Sequence, residues 1–352
     1  MVRAMSRLIW LALVACSRAG APMEQAPDAA AVHSVDAREI DAALPLTMND
    51  CYKRMFPNYT TPEINYDQFS PVINSMCAGT NQQQITGVQR VVFLGDSVTT
   101  GSPPTPDNAF YRSQLADHLT QQFGLQAPDS LWKAVNWASG QTVVMESGDF
   151  ASCAKWGARA DDLMRDHTQV LDCLPESQRD KHTLVIMTIG GNDIAAIAKA
   201  GGDGASLDTT WAMAHDSVDL LRDAITWMRE PGRFPNGIDI VFNTVHEYTD
   251  ATGDTSSCLV GAAAYKAWPD PTALRDTVIW LNEQYVALAV QSRTDVVFML
   301  ENFCGHGFHN DDPMSPCYRG PDTPRWLDDT CVHPNPTGHG ELAKLYESVI
   351  SE

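Results

Sequence analysis

The chain has 352 residues, 44% of them hydrophobic, and a formal charge of −20 from 44 acidic against 24 basic side chains. Such a length builds one large domain or two small ones with a sizeable core. The acidic residues are scattered, and their field repels nucleic acid and anionic membrane surfaces, so neither is expected as a primary partner.

Arg3 and Arg7 precede an apolar run, Leu8 to Ala15, too short to span a bilayer as a mature helix and suited to a secretory signal. Leu13-Val14-Ala15-Cys16 resembles the lipobox of bacterial lipoproteins. The resemblance implies that residues 1–16 are signal peptide and lipobox, that Cys16 is lipidated, and that the chain is exported to the cell envelope. In that case it meets the membrane only through its lipid anchor. An ordinary signal peptide cut near Ala21 is the alternative and implies secretion. Residues 17–46 are rich in Ala, Pro, Asp and Ser without a sustained apolar period, which reads as a flexible tether. Residues 47–87 are irregular and rich in Asn, Pro and Gln, and read as a disulfide-bridged N-terminal cap on a domain covering 88–352.

Setting Cys16 aside, eight of the nine cysteines remain: Cys51, Cys77, Cys153, Cys173, Cys258, Cys304, Cys317 and Cys331. An even number in an exported chain points to bridges, and the lack of any C-x-x-C pair argues against zinc. Proximity pairs Cys51 with Cys77 and Cys153 with Cys173 and leaves the last four unassigned.

From residue 88 onward the pattern is regular. Five apolar runs bounded by turn residues, at 88–95, 133–139, 182–190, 238–245 and 295–300, are candidate buried strands. Helical periods separate them. Tyr111, Leu115, Leu119 and Phe123 repeat every four residues and stop at Gly124; Trp211 to Met228 and Leu274 to Tyr285 repeat at three and four, the second opened by Asp270-Pro271. A last helix opens at Thr337 and carries Leu342, Leu345, Tyr346 and Val349. Alternating strands and helices imply right-handed crossovers and a parallel sheet covered on both faces, with active groups at the carboxyl ends of the strands.

Three of those ends carry chemistry-bearing residues. The first strand runs into Gly95-Asp96-Ser97, the second into Gly140, and the third into Gly190-Gly191-Asn192-Asp193. A strand order of 2-1-3-4-5 places Gly140 and Asn192 on either side of Ser97. A serine attacking an ester carbonyl needs fixed donors for the oxyanion, and the Ser97 N–H, Gly140 N–H and Asn192 side-chain amide would supply them. It also needs a base, and among ten histidines His333 sits before Pro334 in a loop just ahead of the last helix. His339, in the first turn of that helix, reads as a surface or capping residue.

These blocks resemble the SGNH hydrolases, also called GDSL-type esterases and lipases. Gly95-Asp96-Ser97 corresponds to the nucleophile block, Asn136 to Gly140 to the glycine block, Gly190-x-Asn192-Asp193 to the third and His333-Pro334 to the histidine block, all in family order. The resemblance implies a three-layer α/β/α sandwich of flavodoxin type with a five-stranded parallel sheet. It implies hydrolysis of carboxylic esters through an acyl-serine, with no metal and no cofactor; the substrate is expected to be a lipid, carbohydrate or other small-molecule ester, and the acting species a monomer. A carbohydrate O-acetylesterase and a non-catalytic binding protein on this fold are the alternatives.

One position departs from the pattern. The family shows Asp three residues before the histidine, where this chain has Thr330. Asp329, Asp328 or the Thr330 carbonyl is left to orient His333, and Asp329 is the expected partner. In the loop Glu301 to Pro321, His306, His309, Asp311 and Asp312 have metal-ligand types but no aligning helical spacing. The loop reads as a bridged wall of the substrate cleft, with Phe303, Phe308 and Tyr318 facing an acyl or sugar group.

Overall fold

The computed structural model describes residues 46–56, 64–165 and 168–352. The signal, Cys16 and tether readings fall outside them. In chain order the helices are α1 (Met48–Met55), α2 (Ser97–Thr100), α3 (Tyr111–Phe123), α4 (Ser130–Lys133), α5 (Gln169–Cys173), α6 (Gly191–Gly202), α7 (Leu207–Met228), α8 (Leu259–Ala264), α9 (Pro271–Ser292), α10 (Met299–Phe303) and α11 (Pro336–Ser351). The strands are β1 (Arg90–Gly95), β2 (Val135–Asn136), β3 (Gln141–Thr142), β4 (Glu146–Ser147), β5 (Phe150–Ser152), β6 (Thr183–Thr188), β7 (Ile238–Asn243) and β8 (Asp295–Val297).

The central sheet has the order β4-β5-β1-β6-β7-β8. Five neighbours, β5-β1-β6-β7-β8, run parallel, and β4 adds an antiparallel edge. Successive residues of β1 serve opposite faces. Val91 and Phe93 join Tyr111, Leu115, Leu342 and Tyr346 of α3 and α11, whereas Val92 and Leu94 join Leu221, Ile225 and Leu281 of α7 and α9. A strand buried on both faces therefore reads as one apolar run, with each side chain stabilising by about 1.5–3 kcal/mol. The result is an α/β sandwich of three layers.

Two sequence expectations are corrected here. The strand beside β1 is Phe150–Ser152, not residues 133–139. The latter run is spent on the end of α4, the two-residue β2, and a tight turn to β3 in which Trp137 stays 71% exposed. α11 is capped by Asn335, whose side chain accepts from the Gly338 N–H at 2.9 Å, rather than by Thr337. α9 begins as its sequence suggests, with Asp270 accepting from the Thr272 N–H at 3.0 Å. α3 ends on left-handed Gly124, at φ 68°.

The four bridges are Cys51–Cys77, Cys153–Cys173, Cys258–Cys331 and Cys304–Cys317. The first ties α1 to a segment whose residues 78–80 pair with the outer edge of β8, through Thr80 N–H to Val296 O and Phe298 N–H to Ala78 O. Covering that edge removes a row of unpaired backbone groups. Among the described residues no helix is long and apolar enough to cross a membrane.

Candidate active site

β1 ends at Gly95, whose φ of 113° and packing admit only glycine: a Cβ there would lie 1.9 Å from the Thr188 carbonyl oxygen. Asp96 follows as the cap of α2. Its carboxyl accepts from the Val98 N–H and the Thr188 hydroxyl, both at 2.9 Å. Burial pushes its pKa up to about 6. Ser97 is thereby fixed at the first helical position, where its N–H has no intrahelical acceptor. Its Oγ stands 2.8 Å from His333 Nε2. Burial holds the His333 imidazole below its ordinary pKa, while the nearby Asp328 acts in the opposite sense.

The structure does not bring Gly140 to this hydroxyl as a donor. The Gly140 N–H is committed to Asn136 O at 2.9 Å, closing the turn after β2, and its carbonyl accepts from the Trp156 N–H. Gly157, and not Gly140, lines the same cavity as Ser97. Ladder bonds from Cys153 N–H to Phe93 O and from Lys155 N–H to Gly95 O carry the pairing of β5 and β1 past Ser152. Gly157 and Ser97 each lie two residues beyond the last bonded pair. The neighbouring N–H groups of Trp156 and Ala158 are bonded, whereas that of Gly157 has no partner among the described residues. The φ of Gly157 is 75°, and open space lies where a Cβ would project. The missed signal was Gly157 itself, standing four residues after Cys153; a three-residue strand gives too short an apolar run to announce it.

Asn192, at the start of α6, donates one amide N–H to the Ala158 carbonyl at 2.9 Å. Next to it Asp193 accepts from the Ala160 N–H at 3.1 Å, and burial raises its pKa to about 7. The third block thus grips the segment carrying Gly157. Asn192, Gly157, Ser97 and His333 line one cavity of about 1510 Å³. Its walls are largely apolar, with Trp156, Ile194, Val245, Trp268, Leu274 and Val278 among them, and Tyr52 and Phe56 come from the N-terminal segment.

The expected role of Asp329 is overturned. Its side chain is 94% exposed and paired with Arg325 at 2.8 Å. The group on His333 Nδ1 is the Thr330 hydroxyl, at 2.8 Å, and that hydroxyl donates onward to Asp328 Oδ1. Sequence spacing was misleading because Asp328 and Thr330 sit in one tight turn: the Thr330 N–H also donates to Asp328 Oδ1, at 2.8 Å, and the Cys331 N–H to Asp328 O. Cys331, left-handed at φ 75°, is held by its bridge to Cys258. His246 Nε2 lies 2.9 Å from the Val332 carbonyl.

His339 is not a surface residue but is 1% exposed, its Nδ1 accepting from the Tyr111 N–H at 3.2 Å. The loop after α10 folds onto Asp250, whose carboxyl accepts the N–H groups of Gly305, Gly307 and His309 at 2.8 Å each. His306 stacks on Trp326 and His309 lies beside Asp254. Cys304, Pro316 and Cys317 reach the cavity wall, whereas Phe303, Phe308 and Tyr318 do not line it.

A profile of the GDSL-like lipase/acylhydrolase family matches residues 93–340. No curated protein sequence matches the chain. Among solved structures, a gut microbial diltiazem-metabolizing enzyme is 13% identical with a TM-score of 0.44, over 77% of this chain and 49% of that one, so the chain spans about half its length. The lipase Lip_vut3 from a goat rumen metagenome is 12% identical with a TM-score of 0.45, over 74% of this chain and 97% of that one. A member of the lipolytic protein G-D-S-L family from Veillonella parvula DSM 2008 is 13% identical with a TM-score of 0.39, over 75% and 100%. The matched span runs from within β1 into α11 and so carries Ser97, Asn192 and His333. The chain belongs to the GDSL-like lipase/acylhydrolase family.

Proposed function

We propose that this protein is an exported serine ester hydrolase acting through an acyl-serine at Ser97. The observation that carries the reading is the 2.8 Å contact between Ser97 Oγ and His333 Nε2 at the carboxyl edge of the parallel strands. His333 takes the Ser97 proton as Oγ attacks the ester carbonyl. The oxyanion is held by the Ser97 N–H, the Gly157 N–H and the second N–H of Asn192. His333 then protonates the departing alcohol, and water releases the acid by the same steps in reverse.

The large apolar cavity favours a bulky acyl or aryl group over a strict two-carbon limit. Acetyl removal from a polysaccharide is the rival within the same chemistry, and an ester panel of rising chain length separates the two. Four disulfides suit an oxidising compartment, and lipidation at Cys16 would add an envelope anchor. We take the acting species to be the monomer.

The test is covalent labelling by a fluorophosphonate together with hydrolysis of a short aryl ester. Ser97→Ala is expected to abolish both. Full turnover by that variant sinks the assignment, and a wild type that resists labelling favours a binding protein.

A further inference from the structure

The His333 loop places a hydroxyl where a carboxylate is expected. Thr330 Oγ1 lies 2.8 Å from His333 Nδ1, and the same oxygen donates to Asp328 Oδ1. Asp328 is 7% exposed, and its Oδ2 has no hydrogen-bond partner among the described residues. A threonine hydroxyl carries a single proton. Because that proton is spent on Asp328, the contact with His333 is one in which Nδ1–H donates and Thr330 Oγ1 accepts. A neutral imidazole with its proton on Nδ1 has a bare lone pair on Nε2, the nitrogen facing Ser97 Oγ.

We propose that Thr330 is a positioning residue, a hydroxyl relay through which Asp328 selects the tautomer of His333 and holds its ring toward Ser97. The inference rests on the serine-hydrolase reading above. Without Asp328 the hydroxyl is able to turn and donate to Nδ1, which moves the imidazole proton to Nε2 and removes the base. When His333 takes the Ser97 proton, the positive charge stays on the imidazolium. Its Nδ1–H remains with Thr330, whose own proton remains with Asp328, so no proton crosses the relay. Three ties hold the loop in register: the Cys258–Cys331 bridge, the His246 contact to Val332 O, and the Asp328 N–H bond to His333 O at 2.9 Å.

The titratable groups that act on the imidazole are Asp328 on its own loop, His246 after β7 and His339 on α11. His246 is held neutral by burial, with a pKa of about 4, and His339 at about 3. Asp96, pushed up to about 6, is common to every variant below.

The test compares Thr330→Ser, Thr330→Val and Asp328→Asn with the wild type in kcat, KM and the pH profile of kcat/KM on an aryl ester. Thr330→Ser keeps the hydroxyl and is expected within about threefold of wild-type kcat. Thr330→Val keeps the shape and is expected to lose about 10²-fold in kcat with little change in KM, the scale of a misdirected base. Asp328→Asn is expected to move the acid limb of the profile to lower pH, because it removes the charge that favours protonated His333. A structural role alone leaves that limb in place. Wild-type kcat in Thr330→Val, or an unmoved limb in Asp328→Asn, overturns the relay. Where Thr330→Val fails to fold, the Asp328→Asn limb decides. Either result alongside an inactive Ser97→Ala overturns the relay alone; an active Ser97→Ala overturns the hydrolase reading.

Discussion

Asn192 Nδ2 donates to the Ala158 carbonyl at 2.9 Å, so the first turn of α6 is bonded to the segment that follows β5. One side chain thereby sets its own amide and the Gly157 N–H in a common frame. Oxyanion donors work by being fixed before charge develops, and a shared anchor keeps the two in register.

In the proposed mechanism Asn192→Ala removes one oxyanion donor and the tie to the segment carrying another. We expect kcat to fall by about 10²–10³-fold, about 2.7–4 kcal/mol of barrier, with a much smaller change in KM. Steady-state kinetics on an aryl ester checks it. A loss confined to KM assigns Asn192 to ground-state binding.

The pH dependence of kcat/KM follows from His333. In the proposed mechanism only the neutral imidazole accepts the Ser97 proton, and burial lowers its pKa. Activity should rise with pH and reach half its plateau below the ordinary imidazole value of about 6.5. A profile from pH 4 to 8 measures it, and a midpoint above that value contradicts the burial argument.

The Cys258–Cys331 bridge spans 73 residues. In the chain-entropy account a loop of that size is worth about 4–5 kcal/mol. The pair Cys258→Ala with Cys331→Ala should lower the melting temperature. It should also lower kcat well below the transition, because Cys331 holds a left-handed conformation between Asp328 and His333. Scanning calorimetry with low-temperature kinetics separates the two effects.

His339 links stability to acidity. Its folded pKa is lowered to about 3 by burial, so its contribution is complete above the unfolded value near 6.5. It is lost as pH falls from there through about 3, at up to about 1.4 kcal/mol per pH unit. His339→Phe preserves the ring against Phe110 and Tyr111 but forfeits the Tyr111 N–H acceptor. That variant should be less stable at pH 7 and decline less steeply between pH 6 and 4, as read from urea unfolding at each pH.

The elements legible in the sequence were those whose burial leaves a periodic trace. β1, β6 and β7 are six residues each with mostly apolar, buried interiors, and α3, α7 and α9 repeat at three and four. Ser97, Asn192 and His333 were legible because each sits at a junction marked by glycine or proline. β5 left no such trace: three residues between Gly148-Asp149 and Cys153 carry no period, so its glycine was sought after the wrong run. Asp328 was named among the alternatives but passed over for Asp329, for another reason. Its reach to His333 depends on a turn and an intervening hydroxyl, and a rule that counts residues back from a histidine assumes direct contact.

The cavity has consequences for how such a protein diversifies. Tyr52 and Phe56 line it, yet both precede residue 93, where the family resemblance begins. Part of the wall around Ser97 and His333 therefore comes from a stretch of the chain outside that resemblance. On the proposed ester-hydrolase reading, a change of N-terminal segment would reshape that part of the cavity while Ser97 and His333 stay untouched, much as a tool keeps its handle when the bit is replaced.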